Sequence, residues 1–265
     1  MKATDIKGIF PASATPFKKD GTLNSSALEL LIRRNINEGA EGFFIGGSSA
    51  ECFLLSESER IALFETACAY RNETVIIAHV GAIGTDEAIR YARAAKNYGA
   101  YYISALPPFY YKFNNAQIAR FFYDIADAAD LPIMIYNFPV FSGKSFDLND
   151  SDIRKLFCSD VVCGIKHTDQ NLALLERIRD LNPDLAIMNG YDETMTAALA
   201  LGADGSIGST FNVMTPQFKK IYDAYRSGDM ETALLLQVKV NRIVEAFSNT
   251  GLIASIKYVL LKFAQ

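Results

Sequence analysis

Across 265 residues, 26 Lys plus Arg face 30 Asp plus Glu for a formal net charge of −4, and basic residues go no further than pairs such as Lys18-Lys19 and Arg33-Arg34, which argues against nucleic acid as a partner. Half of the residues are hydrophobic and 21% are charged, enough apolar material for a large core and too little charge for a disordered chain. No apolar stretch approaches the ~18 residues that span a bilayer, and four cysteines without CxxC spacing, with His79 and His167 far apart, argue against a disulfide framework and a structural zinc site; a cytosolic protein is expected.

In chain order, apolar strand-like runs alternate with amphipathic stretches whose apolar residues recur three and four apart. GIFPASAT from Gly8 precedes a helix predicted over Ala27 to Asn37. GFFIGG from Gly42 precedes one over Ser56 to Tyr70, opened by the capping-box pattern Ser56-Glu57-Ser58-Glu59. VIIAHVG from Val75 and YYISAL from Tyr101 lead into Thr85 to Tyr98 and Asn115 to Ala129. IMIYNF from Ile133 leads to Asn149 to Phe157, with cap candidates between Asp147 and Asp152. VVCGIKH from Val161, LAIMNG from Leu185 and DGSIGS from Asp204 precede Asn171 to Leu181, Glu193 to Leu201 and Thr215 to Arg226.

Eight strand–helix units in about 225 residues match a (β/α)8 TIM barrel in the α/β class better than an open doubly wound sheet. The turn after the first run, PFKKDGT, has no GxGxxG, and Gly46-Gly47 lacks a third glycine, so dinucleotide binding is disfavoured. Two further helical stretches, Met230 to Asn249 and Leu252 to Lys262, fall outside the ring. The chain is therefore predicted to form a barrel over residues 1–227 with a C-terminal helical appendage over 228–265 packed on it.

Barrel sites form at the C-terminal ends of the strands, so the polar residues closing each run are the candidates: Thr15; Ser48, Ser49 and Glu51; His79; Tyr110 and Tyr111; Tyr136 and Asn137; Lys166 and Thr168; Tyr191, Asp192 and Glu193; Ser209. Lys166 ends the apolar strand Val161–Ile165. It is either a desolvated amine available as a nucleophile or a strand-end lysine whose stem snorkels to water. Tyr136 is a proton relay or a core tyrosine. Gly46 to Glu51 is an anion-binding turn or an ordinary strand-to-helix connection. Gly202 to Ser209 lies where many barrels bind phosphate, which supports a phosphosugar enzyme as a rival. His79 is a catalytic base or, the reading preferred, a hydrogen-bonded core histidine, and Asp192-Glu193 are holders of sugar hydroxyls or a cap of the seventh helix.

The ordered segments GGSSAE at Gly46, PPFYYKF at Pro107, YNFPVFSG at Tyr136, GIKHT at Gly164, NGYDE at Asn189 and GADGSIGSTFN at Gly202 resemble the pyruvate-dependent lyase and synthase family that includes N-acetylneuraminate lyase and dihydrodipicolinate synthase. The match runs from about Gly8 to Arg226. It is closer to the lyase side, since Phe141 stands where the synthases typically carry an arginine for a semialdehyde carboxylate. The resemblance implies Lys166 as the Schiff-base residue, Tyr136 as the proton-transfer residue and Ser48 and Ser49 as holders of the carboxylate. It implies Tyr110 as a contribution from a neighbouring subunit, and Thr168, Gly190, Asp192, Glu193 and Ser209 along the sugar side. It also implies a homotetramer, a sialic acid and pyruvate as ligands, and no metal or cofactor. Two departures stand out: Ala50 replaces the glycine usual in GGSTGE, and the chain stops at Gln265, before the family's C-terminal helical portion is normally finished.

The chemistry so implied is reversible cleavage of N-acetylneuraminate to N-acetylmannosamine and pyruvate, a protonated imine at Lys166 drawing electrons from the breaking C–C bond. The alternatives are another keto-acid aldolase or dehydratase of the family and a non-catalytic barrel that senses a keto acid.

Overall fold

A computed structural model describes residues 6–263. Eight strands alternate with helices as the apolar rhythm anticipates: β1 (Gly8–Pro11), α1 (Ser25–Asn37), β2 (Gly42–Ile45), α2 (Glu57–Cys68), β3 (Val75–His79), α3 (Thr85–Asn97), β4 (Tyr102–Ala105), α4 (Asn115–Ala129), β5 (Ile133–Asn137), α5 (Pro139–Ser142), α6 (Ser151–Phe157), β6 (Val162–His167), α7 (Ala173–Leu181), β7 (Ala186–Asn189), α8 (Met195–Ala200), β8 (Gly205–Gly208) and α9 (Phe211–Arg226). Two helices follow, α10 (Met230–Thr250) and α11 (Leu252–Phe263). The strands pair in parallel in the order β1-β8-β7-β6-β5-β4-β3-β2, and a bridge between Ala12 and Phe44 nearly closes the ring. This is a (β/α)8 barrel.

Sequence chemistry explains most boundaries. Ser56 and Glu59 form the expected capping box at α2, and Asn114 with Gln117 forms a second one at α4. Asp150 caps α6, its carboxylate accepting from the N–H groups of Asp152 and Ile153. Some boundaries differ from expectation. The first strand ends at Pro11 rather than running to Thr15, because the next residues leave the ladder to meet Phe44 and Asn212. The helix expected over Glu193 to Leu201 begins as a 3-10 turn at Asp192–Thr194 and is α-helical only over Met195–Ala200. α9 starts at Phe211, with a kink at Met214 just before Pro216, where proline removes a helical donor. The short α5 was not expected; Pro139 starts it and Gly143, at φ +66°, ends it.

Two apolar layers hold the barrel. One lies between strands and helices, and a second fills the interior with Phe10, Phe44, Ile77, Met134, Tyr136 and Met188. Strand β6 carries a bulge: Val162 pairs with Ile133 and Gly164 with Met134, so Cys163 is an extra residue. The bulge lets Cys163 join the inner layer and still sets Lys166 opposite Tyr136. Only glycine fits at 164, where a Cβ would lie 2.3 Å from the Ala186 carbonyl oxygen.

α10 packs along α9 and reaches the barrel mouth. Gln237 accepts from the Thr196 N–H and hydroxyl at 3.0 Å each and donates to the Asp192 carbonyl at 3.1 Å, while Asn241 donates to the Glu193 carbonyl at 3.1 Å. Among the described residues, no helix is long and apolar enough to cross a membrane.

The β1–β8 seam joins glycine to glycine. Gly8 pairs with Gly205, and a Cβ on Gly205 would sit 2.1 Å from the Gly8 carbonyl oxygen. Backbone in a closed ring has no room to retreat, so Gly205→Ala is expected to cost about 3 kcal/mol or more in urea unfolding, at the upper end of overpacking penalties.

Candidate active site

Lys166 reaches the barrel interior as the last inward residue of β6 and is 3% exposed. Its Nζ lies 4.1 Å from the Tyr136 ring centre and 4.2 Å from that of Phe44. Snorkelling to solvent is therefore not what this lysine does. Burial pushes its pKa from the ordinary 10.5 down to about 7, with the Asp192 carboxylate opposing part of the shift. Near neutrality a substantial fraction of the amine is uncharged and nucleophilic, while the two aromatic faces still favour a cation formed there.

Tyr136 is the register partner of Lys166 on β5, also buried, with its hydroxyl 3.4 Å from Ser48 Oγ. Burial holds the phenol above its usual pKa of 10, despite the neighbouring Ser48 and Thr168 hydroxyls, so it rests protonated. Thr168 Oγ1 is buried beside the phenol without a hydrogen bond of good geometry.

The β2–α2 connection supplies the hydroxyls. Gly46 takes φ +72°, and a Cβ on Gly47 would strike the Phe44 ring at 2.5 Å, so both glycines are demanded by the turn. Ser48–Ala50 and Cys52–Leu54 then form two 3-10 turns around Glu51. Ser49 Oγ meets Ser209 Oγ at 2.6 Å, which brings the second and eighth units together across the mouth. Thr15 donates to the Ala50 carbonyl at 2.8 Å.

Asp192 faces the same chamber. Its carboxylate accepts from the Thr210 N–H at 2.8 Å and hydroxyl at 2.5 Å, and burial raises its pKa to about 6. It does not cap its own helix. Glycines make the room: a Cβ on Gly208 would lie 2.4 Å from Asp192 Oδ1, and one on Gly190 would lie 1.8 Å from Thr168 Oγ1. The phosphate reading of Gly202 to Ser209 loses its footing, because the Thr210 N–H is taken and a buried carboxylate stands beside the segment. Glu193 is half-buried next to Asp192.

Of two further candidates, His79 packs behind the site with its ring centre 5.7 Å from that of Tyr136, and Tyr110 lies outside it. His79 is fully buried, its Nδ1 3.0 Å from the Gly46 carbonyl and 3.1 Å from Arg60, whose guanidinium also donates to the His79 and Gly81 carbonyls. Burial, then the charges of Arg60 and Lys166, hold its pKa well below 6.5, as befits a structural histidine. Tyr110 is 83% exposed in a left-handed conformation at φ +73°, edge-on to Tyr111, and does not join the cluster within its own chain.

Sequence reasoning missed Phe44, the second wall beside Lys166, and Thr210, the partner of Asp192. Phe44 could have been found from the alternation of GFFI, which turns one phenylalanine inward; Thr210 lies beyond the strand-end filter, and its only signal was its place in the GADGSIGSTFN segment. A cavity of about 370 Å3 opens above Ser48, lined by Glu51, Cys52, Phe53, Phe109 and Phe141. A larger apolar groove of about 660 Å3 runs between α1 and α11 and contains none of the candidate residues except Thr15. Among the described residues, no group of three or more His, Cys, Asp or Glu side chains could hold a metal ion.

The model of the Dihydrodipicolinate synthetase family matches residues 5–263. N-acetylneuraminate lyase of Escherichia coli (strain K12 / DH10B) is 38% identical over 260 residues, covering 97% of this chain and 87% of that protein. The crystal structure of CdNal from Clostridium difficile in complex with mannosamine superposes with a TM-score of 0.93 at 34% identity, over 98% of this chain and 89% of the other. N-acetylneuraminate lyase from Fusobacterium nucleatum complexed with pyruvate gives 0.93 at 32% identity, over 99% and 89%.

A lysine whose pKa falls on folding binds fewer protons when folded, so the penalty is fully present below about 7 and fades as pH rises toward 10.5. Lys166→Met is accordingly expected to stabilise the protein by up to roughly 4 kcal/mol at pH 7, with the gain shrinking steadily to pH 10 in denaturant titrations.

Proposed function

The chain belongs to the Dihydrodipicolinate synthetase family, and from that membership we propose that it is a carbon–carbon lyase that reversibly cleaves N-acetylneuraminate to N-acetylmannosamine and pyruvate through a Schiff base on Lys166. The observation that carries this reading is the buried, partly neutral amine of Lys166 set in register with the phenol of Tyr136.

The uncharged amine adds to the ketone carbon, and water departs as the imine forms and is protonated. The cation now lies against the Phe44 and Tyr136 rings and makes the phenol easier to ionise, so Tyr136 and Ser48 form a short proton route. Loss of the C4 hydroxyl proton along that route breaks the C3–C4 bond, its electrons flow into the iminium, and the acylamino sugar leaves as an aldehyde. Protonation of the enamine and hydrolysis then return pyruvate and the free amine.

Ser48 and Ser49 hold the keto-acid carboxylate. Thr168, Gly190, Asp192, Glu193 and Ser209 line the sugar side, where the buried Thr168 hydroxyl and the Asp192 carboxylate suit polyol hydroxyls. Phe141 packs on Phe138 with ring centres 4.3 Å apart, so this wall offers an apolar face where a dehydratase acting on a semialdehyde acid would need a cation. Tyr110, exposed here, completes the proton route in a neighbouring subunit of a homotetramer, and the reaction is placed in the cytoplasm.

Borohydride reduction in the presence of pyruvate should leave an adduct on the peptide containing Lys166, detected by mass spectrometry. Lys166→Ala should abolish N-acetylneuraminate cleavage; normal turnover by that variant would overturn the assignment. Tyr136→Phe should still form the imine while kcat falls on the order of 10²- to 10⁴-fold. A substrate panel separates the lyase from a related keto-acid aldolase, which would not lose kcat/KM when the acylated polyol is shortened.

A further inference from the structure

We propose that Lys257, on the C-terminal helix α11, is a positioning residue for the substrate carboxylate, acting through its ion pair with Glu51 to hold the Ser48–Ser49 turn in shape. This rests on the reading of Ser48 and Ser49 as the carboxylate holders.

Glu51 adopts φ 57° and ψ 39°, a left-handed conformation that costs any residue with a Cβ and persists only where surrounding contacts enforce it. Three contacts surround it. Its N–H donates to the Ser48 carbonyl, Thr15 holds the carbonyl of Ala50 just before it, and its carboxylate is ion-paired with Lys257 Nζ from 206 residues away in sequence. The ion pair is the contact that grips the Glu51 side chain from outside the turn. If it is lost, the strained residue can relax, and the peptides on its N-terminal side turn with it. Those peptides carry Ser49, whose hydroxyl must stay aligned with Ser209 at 2.6 Å, and Ser48, whose hydroxyl faces Tyr136.

Lys257 is itself guided. Its Nζ lies 5.4 Å from the Phe17 ring centre, and its stem lines the groove with Leu31, Leu260 and Leu261, so the seating of α11 against α1 decides where the ammonium points. Both side chains of the pair are about one third exposed, so the pair contributes little to global stability. Its effect is local, and it should appear in substrate affinity.

The test is borohydride trapping of the full chain across a pyruvate titration, with thermal unfolding measured alongside. Lys257→Met and Glu51→Gln should each raise half-saturating pyruvate by on the order of tenfold, since small misplacements of a binding group are expensive. Trapping at saturation and its pH midpoint should stay unchanged, and melting should shift little. Lys257→Glu should bind pyruvate more weakly still, and the exchanged pair E51K/K257E should recover most of the loss, which a generally loosened helix would not do. Unchanged half-saturation in Lys257→Met, or no recovery in the exchanged pair, overturns the inference while leaving the Schiff-base reading intact. Failure of the unaltered protein to form any adduct overturns both.

Discussion

Lys166 stands on a barrel strand where water cannot follow it, and the surrounding architecture is arranged around that desolvation. A closed ring of parallel strands is what takes the amine out of water without requiring a partner charge in contact. Phe44 and Tyr136 replace the lost hydration with aromatic faces, and Asp192 contributes a weaker, more distant field. The same burial acts in opposite directions on neighbouring groups. It lowers the lysine and raises the phenol and the Asp192 carboxyl, so one chamber holds a base that is partly free and two acids that resist ionisation. Such a spread of proton affinities serves a reaction in which protons are both given and taken within a few ångströms.

The hydroxyl side of the site depends on turns rather than on strands. Gly46 is required by its positive φ, and Gly47, Gly190 and Gly208 because a ring, a hydroxyl or a carboxylate already occupies the space a Cβ would need. Their joint effect is to let chain segments from the second, seventh and eighth units crowd the mouth. The contacts from Gln237 and Asn241 extend this crowding outward: α10 holds the carbonyls of Asp192 and Glu193, so this side of the mouth is anchored in a helix outside the ring.

Much of this was legible in the sequence for a simple reason. The eightfold alternation is a periodic signal repeated often enough to survive local errors, and strand-end polar residues are where such a barrel concentrates chemistry. Lys166 and Tyr136 followed from that rule, and the structure puts them side by side. Other features depend on contacts between distant segments. The bond from Thr210 to Asp192 spans the loops after β7 and β8, the pairing of Ser49 with Ser209 spans 160 residues, and nothing in either neighbourhood announces it. The short α5 and the early end of β1 are local departures forced by packing at the mouth, where propensity is a weak guide. Tyr110 is different again: it is exposed in a left-handed conformation and away from the cluster, so the fold of one chain does not bring it to the site.

The bulge at Cys163 gives β6 two phases of alternation. Before it, Val162 faces the helices; after it, Ile165 does so again, with Cys163 and Gly164 both turned inward between them. A strand of this kind is unequal in its tolerance to changes of length. Removing one residue at the bulge would merely restore regular pleating and leave the rest in place. Adding one between Gly164 and Lys166 would rotate the remainder by half a period, sending the amine into the helix layer and presenting the imidazole of His167 to the chamber. The irregularity thus gives the strand one residue in reserve, which it can lose without moving the amine at its far end.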